Sequence, residues 1–126
     1  MTLLRLFSPK KTGDEAERLA EFFLTRQGLN LVERNYRSRF GEIDLIMQHA
    51  ETLVFVEVKL RKSAKGRTDF GGAVASITPS KQAKIIATAQ HYLADMKHPP
   101  PCRFDAVLLN AMNERDVEWL RNAFEA

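Results

Sequence analysis

GEIDLIMQHAETLVFVEVKLR, residues 41–61, reads as a short apolar β-hairpin that carries charges where a sheet interior is expected. Strand side chains alternate between faces. Glu42, Asp44, Ile46 and Gln48 are therefore expected to share one face of the first arm, and Ile43, Leu45 and Met47 the other. In the second arm Leu53, Phe55, Glu57 and Lys59 share a face, opposite Val54, Val56 and Val58. A tight turn at Ala50-Glu51 pairs positions whose numbers sum to 101, which sets Asp44 opposite Glu57 and Glu42 opposite Lys59. Opposed residues point to the same face with Cβ atoms roughly 4.5–5.5 Å apart.

Two carboxylates facing each other destabilise a strand pair, and desolvation makes the repulsion worse. Lys59 compensates only part of that charge, and a divalent cation held by Asp44 and Glu57 would relieve the rest. Oxygen donors without a Cys or His pair favour Mg²⁺ or Mn²⁺ over zinc. Such a site leaves metal positions open for water and a phosphate oxygen. The plain reading is a solvated polar face on which Glu57 pairs with Lys59 or Lys84.

Charge distribution supports a polyanionic partner. The formal charge of the 126-residue chain is only +3, yet residues 34–39 (RNYRSR) hold three arginines and no acid. Residues 59–67 (KLRKSAKGR) hold five basic residues and no acid. Arg37, Arg39, Arg61, Lys62, Lys65 and Arg67 thus bracket the acidic hairpin and are expected to meet phosphates, which positions a strand without reading its sequence. Taken singly, each run could be an ordinary solvated loop.

The length fits one domain, 1–126, with a flexible start over 1–12 and a mobile basic loop over 61–77. Hydrophobic residues at 44% and charged residues at 28% describe a soluble globular chain. No apolar run approaches the roughly 18 residues of a membrane span, MTLLRLFSPKK is a poor signal peptide, and a cytoplasmic location is expected. The lone Cys102 excludes an internal disulfide and argues against a Cys-rich metal site.

A first helix is expected over 14–27, capped at Thr12 or Gly13, with acids in its first turn and Gly28 as its stop. Its apolar stripe is Ala16, Leu19, Ala20, Phe23 and Leu24. Strands follow over 29–36, 42–48 and 53–60. A second helix begins at the Thr78 cap with Pro79 at its first position, burying Ile85, Ile86, Ala89, Leu93 and Met96. RFDAVLL reads as a central strand and VEWLRNAF as an edge strand. The order αβββαββ predicts an α/β fold with a mixed sheet flanked by helices. Asp105 is either a buried hydrogen-bonding group or a strand-end exposure, and Trp119 and Phe124 are expected to seal the sheet edge or a dimer contact.

Asp44…Glu57-Val58-Lys59 resembles the PD-(D/E)xK nuclease pattern. GDEAERLAEFFLTRQGL, ERNYRSRFGEIDLI, LVFVEVKLR, KQAKIIATAQHYL and RFDAVLL together resemble the YraN family of small bacterial proteins, similar to archaeal Holliday-junction resolvases. The resemblance implies a restriction-endonuclease-like fold, with Asp44 and Glu57 as metal ligands and Lys59 positioning or activating water. It also implies that Glu17 joins the site. Read alone, Glu17 is one of several acids along a helix. The resulting expectation is a Mg²⁺- or Mn²⁺-dependent endonuclease acting on nucleic acid, DNA ahead of RNA, with branched DNA as a candidate substrate and Glu42 supporting Lys59. A homodimer would suit cleavage of two strands. The alternatives are an inactive nucleic-acid-binding module and a protein-interaction module with a structural metal.

Overall fold

The structure is a computed structural model describing residues 9–60, 77–110 and 116–126. Helix α1 (Pro9–Arg26) is followed by β1 (Asn30–Ser38), β2 (Gly41–His49) and β3 (Thr52–Leu60). Helix α2 (Pro79–Leu93), β4 (Cys102–Leu109) and β5 (Val117–Phe124) complete the described chain. The expected order αβββαββ is observed, and with its five-stranded mixed sheet and two helices it is consistent with a restriction-endonuclease-like fold. The strands lie in the order β1-β2-β3-β4-β5; β3 and β4 are parallel and the other neighbours antiparallel. A parallel pair needs a crossover, and α2 supplies it. The expected basic loop, apart from Ile77, lies outside the described residues.

Each helix covers one face of the sheet. Ala20 and Leu24 of α1, with Leu29 beyond it, pack on Leu45, Met47, Val54, Val56 and Val107. Ile85 and Ala89 of α2 pack with Ile77 on Ile46, Leu53, Phe55, Phe104 and Ala106. Helix α1 starts five residues before the expected Asp14, so its acids fall inside the helix and its first turn has none. Pro9 opens the helix, and Gly13 is tolerated within it at about 1 kcal/mol relative to alanine. Its end is as expected. Gly28 adopts φ 100°, the Leu29 N–H reaches Leu24 O at 3.1 Å and the Gly28 N–H reaches Thr25 O at 3.1 Å, a Schellman stop. Helix α2 starts on the expected Thr78 cap but ends at Leu93, which leaves Met96 38% exposed rather than in the core.

The expected face assignment of β2 fails at one point. Ile43 packs on the α2 side, with Ile46, whereas Leu45 and Met47 face α1. The change of side falls at Asp44. Across from it, between the pairs Arg34↔Leu45 and Tyr36↔Ile43, Asn35 has φ 51°. A residue in the left-handed region breaks the two-residue alternation.

Asp105 is fully buried on β4. Its Oδ1 accepts from Arg103 Nε (2.9 Å) and the Asn122 backbone N–H (3.0 Å). Its Oδ2 accepts from an Arg103 terminal nitrogen (3.1 Å) and Trp119 Nε1 (2.9 Å). The β4–β5 register shifts at this carboxylate, and Asn122 there has φ 54°. Asp105 therefore templates the irregular part of β5. Its replacement by Ala strands a guanidinium, an indole N–H and a backbone N–H, and should destabilise the protein by about 3–5 kcal/mol. Urea denaturation of Asp105→Ala checks this, and a loss below about 1 kcal/mol would contradict it.

Candidate active site

The β2–β3 ladder follows the expected register from His49↔Thr52 to Leu45↔Val56 and then stops. Asp44 and Glu57 are thus not a ladder pair, and neither are Glu42 and Lys59. At the next step Asp44 Oδ2 accepts the Val58 backbone N–H at 2.8 Å, so a side-chain carboxylate replaces a strand carbonyl and the two strands part. The opened end of the sheet is a cleft of about 570 Å³. Glu17 lines it from α1, Glu42, Asp44, Glu57 and Lys59 from the strands, and Lys81 and Lys84 from α2.

Asp44 and Glu57 reach the cleft with different partners. The Glu17 carboxyl lies close to the side chains of Asn35 and Asp44, which temper its own upward shift. Burial, followed by the nearby Glu57 carboxylate, pushes Asp44 up to about 8; the bond from Val58 opposes the shift, and Glu17 and Glu42 add to it. Glu17 is raised as well, chiefly by burial. Glu57 is only 5% exposed, and its Oε2 lies 2.6 Å from Lys81 Nζ. This bond to Glu57 raises Lys81 above the usual lysine range.

The structure therefore brings Asp44, Glu57, Glu17 and Lys59 into one cleft. Glu42 is exposed and pairs with Arg37 across β1–β2 at 3.6 Å, in place of the expected Lys59. Arg37 is exposed at this rim, and the Arg39 guanidinium lies over the Phe40 ring, 5.0 Å from its centroid. Arg61, Lys62, Lys65 and Arg67 lie outside the described residues. Gly41, at φ 153°, lets the start of β2 pass close to α2: a Cβ there would sit 3.3 Å from Thr88 Oγ1.

Two contributors escaped the sequence reading. Asn35 stands mid-strand, where asparagine is disfavoured, and that was its only signal. Lys81 stands in the first turn of α2, where the helix dipole disfavours a cation.

Residues 16–109 match the model of the uncharacterised protein family UPF0102. The chain belongs to that family, as the YraN resemblance led one to expect. A UPF0102 protein of Nitrosomonas europaea is 55% identical over 90% of this chain and 92% of its own. One of Nitrosospira multiformis is 57% identical over the same shares. One of Psychromonas ingrahamii is 48% identical over 99% of both chains. Among the described residues no helix is long and apolar enough to cross a membrane.

As to a metal, the donors fit in kind: oxygen ligands, and a carboxyl whose ionisation its neighbours oppose. They do not form a ready cage, since no group of three His, Cys, Asp or Glu among the described residues is poised to hold an ion. Glu57 is engaged with Lys81, and Asp44 with the Val58 N–H.

Asp44 titrates far above its unfolded value of about 4, so across that interval the folded protein holds a proton that the unfolded chain has released. Stability of the metal-free protein should accordingly fall as pH rises from about 4 towards about 8 and level off beyond. Thermal midpoints across this range test the sign. Asp44→Asn should remove much of the slope, and an unchanged slope would place the proton elsewhere.

Proposed function

We propose that this UPF0102 protein is a metal-dependent phosphodiester hydrolase acting on nucleic acid, DNA in preference to RNA, of the PD-(D/E)xK endonuclease type. Branched DNA is the substrate class that the resolvase-like resemblance favours. The observation that carries the reading is the cleft at the β2–β3 divergence, where Asp44, Glu57 and Lys59 meet and Asp44 is pushed to about 8. A carboxyl that burial and like charges keep from ionising is one that a bound cation would ionise.

Asp44 and Glu57 would hold Mg²⁺ or Mn²⁺, joined by Glu17. Such an ion supplies positive charge to a phosphate oxygen and lowers the proton affinity of a water. The residues of the chain do the rest. The Val58 N–H fixes the Asp44 carboxylate, and Glu17 lines the same cleft from α1. Lys59 stabilises negative charge developing on the phosphate or on the attacking oxygen. Arg37, exposed at the rim beside Glu42, and the exposed Arg39 would bind flanking phosphates. The Arg37–Glu42 pair is a weak surface contact that a phosphate can displace.

One observation favours a second reading. Glu57 already has a cation in Lys81, at 2.6 Å, which would suit a nucleic-acid-binding module that cleaves nothing.

The two readings part on a panel of four-way junction, flap, single-stranded and duplex substrates, as DNA and as RNA, titrated with Mg²⁺ and Mn²⁺. Cleavage should require metal, vanish in Asp44→Ala and Glu57→Ala, and fall about 10²-fold or more in Lys59→Ala. Cleavage equal in wild type and Asp44→Ala would assign it to another source. Metal-independent binding without cleavage would establish the second reading. On either reading affinity should drop steeply with salt, and Arg37→Ala should lower the salt slope by about 1.

A further inference from the structure

We propose that Lys81 is a tethered counter-ion: it holds Glu57 until a divalent cation arrives, then exchanges that carboxylate for a phosphate oxygen of the nucleic acid. The inference rests on the metal and nucleic-acid reading of the cleft, and adds to it a residue outside the Asp–Glu–Lys pattern. Lys81 Nζ lies 2.6 Å from Glu57 Oε2, with the carboxylate side chain 5% exposed and the lysine side chain 47% exposed. One partner is buried in the site while the other reaches in from solvent and can return there.

The root of the lysine is fixed. Its backbone N–H bonds the Thr78 cap at 3.1 Å, behind Pro79 at the start of α2. That places its ammonium near the positive end of a helix with no acid in its first turn, an unfavourable position unless a carboxylate offsets it. Glu57 is that carboxylate. A divalent ion on Glu57 would draw on the same negative charge and repel the ammonium beside it, so metal entry weakens the Lys81 contact. Once displaced, Nζ stays in a cleft lined also by Lys59 and Lys84, at a helix N-terminus that favours anions. A phosphate oxygen there takes the role Glu57 had.

Calorimetric titration of Mn²⁺ into the full chain tests the exchange, together with labelled duplex and four-way junction DNA bound in EDTA and in Ca²⁺. Lys81→Met should bind Mn²⁺ about tenfold more tightly than wild type, with a larger Mn²⁺-induced rise in thermal midpoint. Its DNA affinity should fall only slightly below wild type in EDTA, where Lys81 is held by Glu57, and several-fold further in Ca²⁺. Lys81→Gln keeps a hydrogen-bond donor for Glu57 without the charge, and should shift in the same direction if Lys81→Met fails to fold. Mn²⁺ affinity equal to or weaker than wild type in both variants overturns the exchange alone, as does a DNA defect of the same size with and without Ca²⁺. Absence of Mn²⁺ binding in wild type and in both variants overturns the metal reading, and the exchange with it.

Discussion

The Val58 N–H donates to the Asp44 carboxylate at 2.8 Å, in the place where the next strand carbonyl would have stood. A sheet ladder ends when one strand offers a side chain in place of backbone, because the side chain satisfies the donor without holding the strands at ladder spacing. From this substitution the separation of β2 and β3, the cleft between the helices and the access of Glu17 and Lys81 to one volume all follow. The charge needed to end the ladder is also the charge that the cleft collects. Fold and site are thus one feature here, and Asp44 cannot be considered in either role alone.

Asp105 uses the same device and shows what a purely structural version looks like. It too accepts a backbone N–H where strand register breaks, yet its remaining capacity is filled by a two-pronged guanidinium and an indole. A buried carboxylate with an arginine across it is neutralised by the protein itself. Asp44 has one N–H and three further carboxyls nearby, those of Glu57, Glu17 and Glu42. The contrast lies in neutralisation, since both aspartates are held by hydrogen bonds. Only the incompletely neutralised one lines a cleft, which is where perturbed carboxyls tend to be functional.

Much of this was legible in the residues. Turn length and apolar alternation set the hairpin register, and the pairing from His49↔Thr52 to Leu45↔Val56 is the one they imply. Gly28 and Thr78-Pro79 carry local capping chemistry that acts regardless of tertiary context, so the end of α1 and the start of α2 were readable. The start of α1 was not, because Lys10, Lys11 and Thr12 neither favour nor forbid a helix and Gly13 suggested a boundary. The parity change at Asp44 was also hidden. Strict alternation assumes β geometry at every residue, and nothing in the sequence announces that Asn35 takes a left-handed conformation. Glu17 needed the family resemblance, since a helix glutamate near an apolar stripe looks like any other until the sheet is beside it.

Lys81 is the instructive omission. A pattern of Asp, Glu and Lys along a hairpin directs attention to lysines on the same strands, yet the ammonium on Glu57 comes from a helix 24 positions later in the chain. Its signal was a misfit: a basic residue in a helical turn where the dipole favours acids. Such a residue needs an offsetting anion, and the anion must lie beyond the helix when the helix supplies none. Across a parallel β–α–β crossover the start of the helix returns past the end of the strand that precedes it, which here is the end of β3 carrying Glu57. The misfit and the topology together therefore point from Lys81 to Glu57 before any distance is measured. A cation in the first turn of a crossover helix, after a strand ending in carboxylates, is better read as belonging to the strand's chemistry than to the helix.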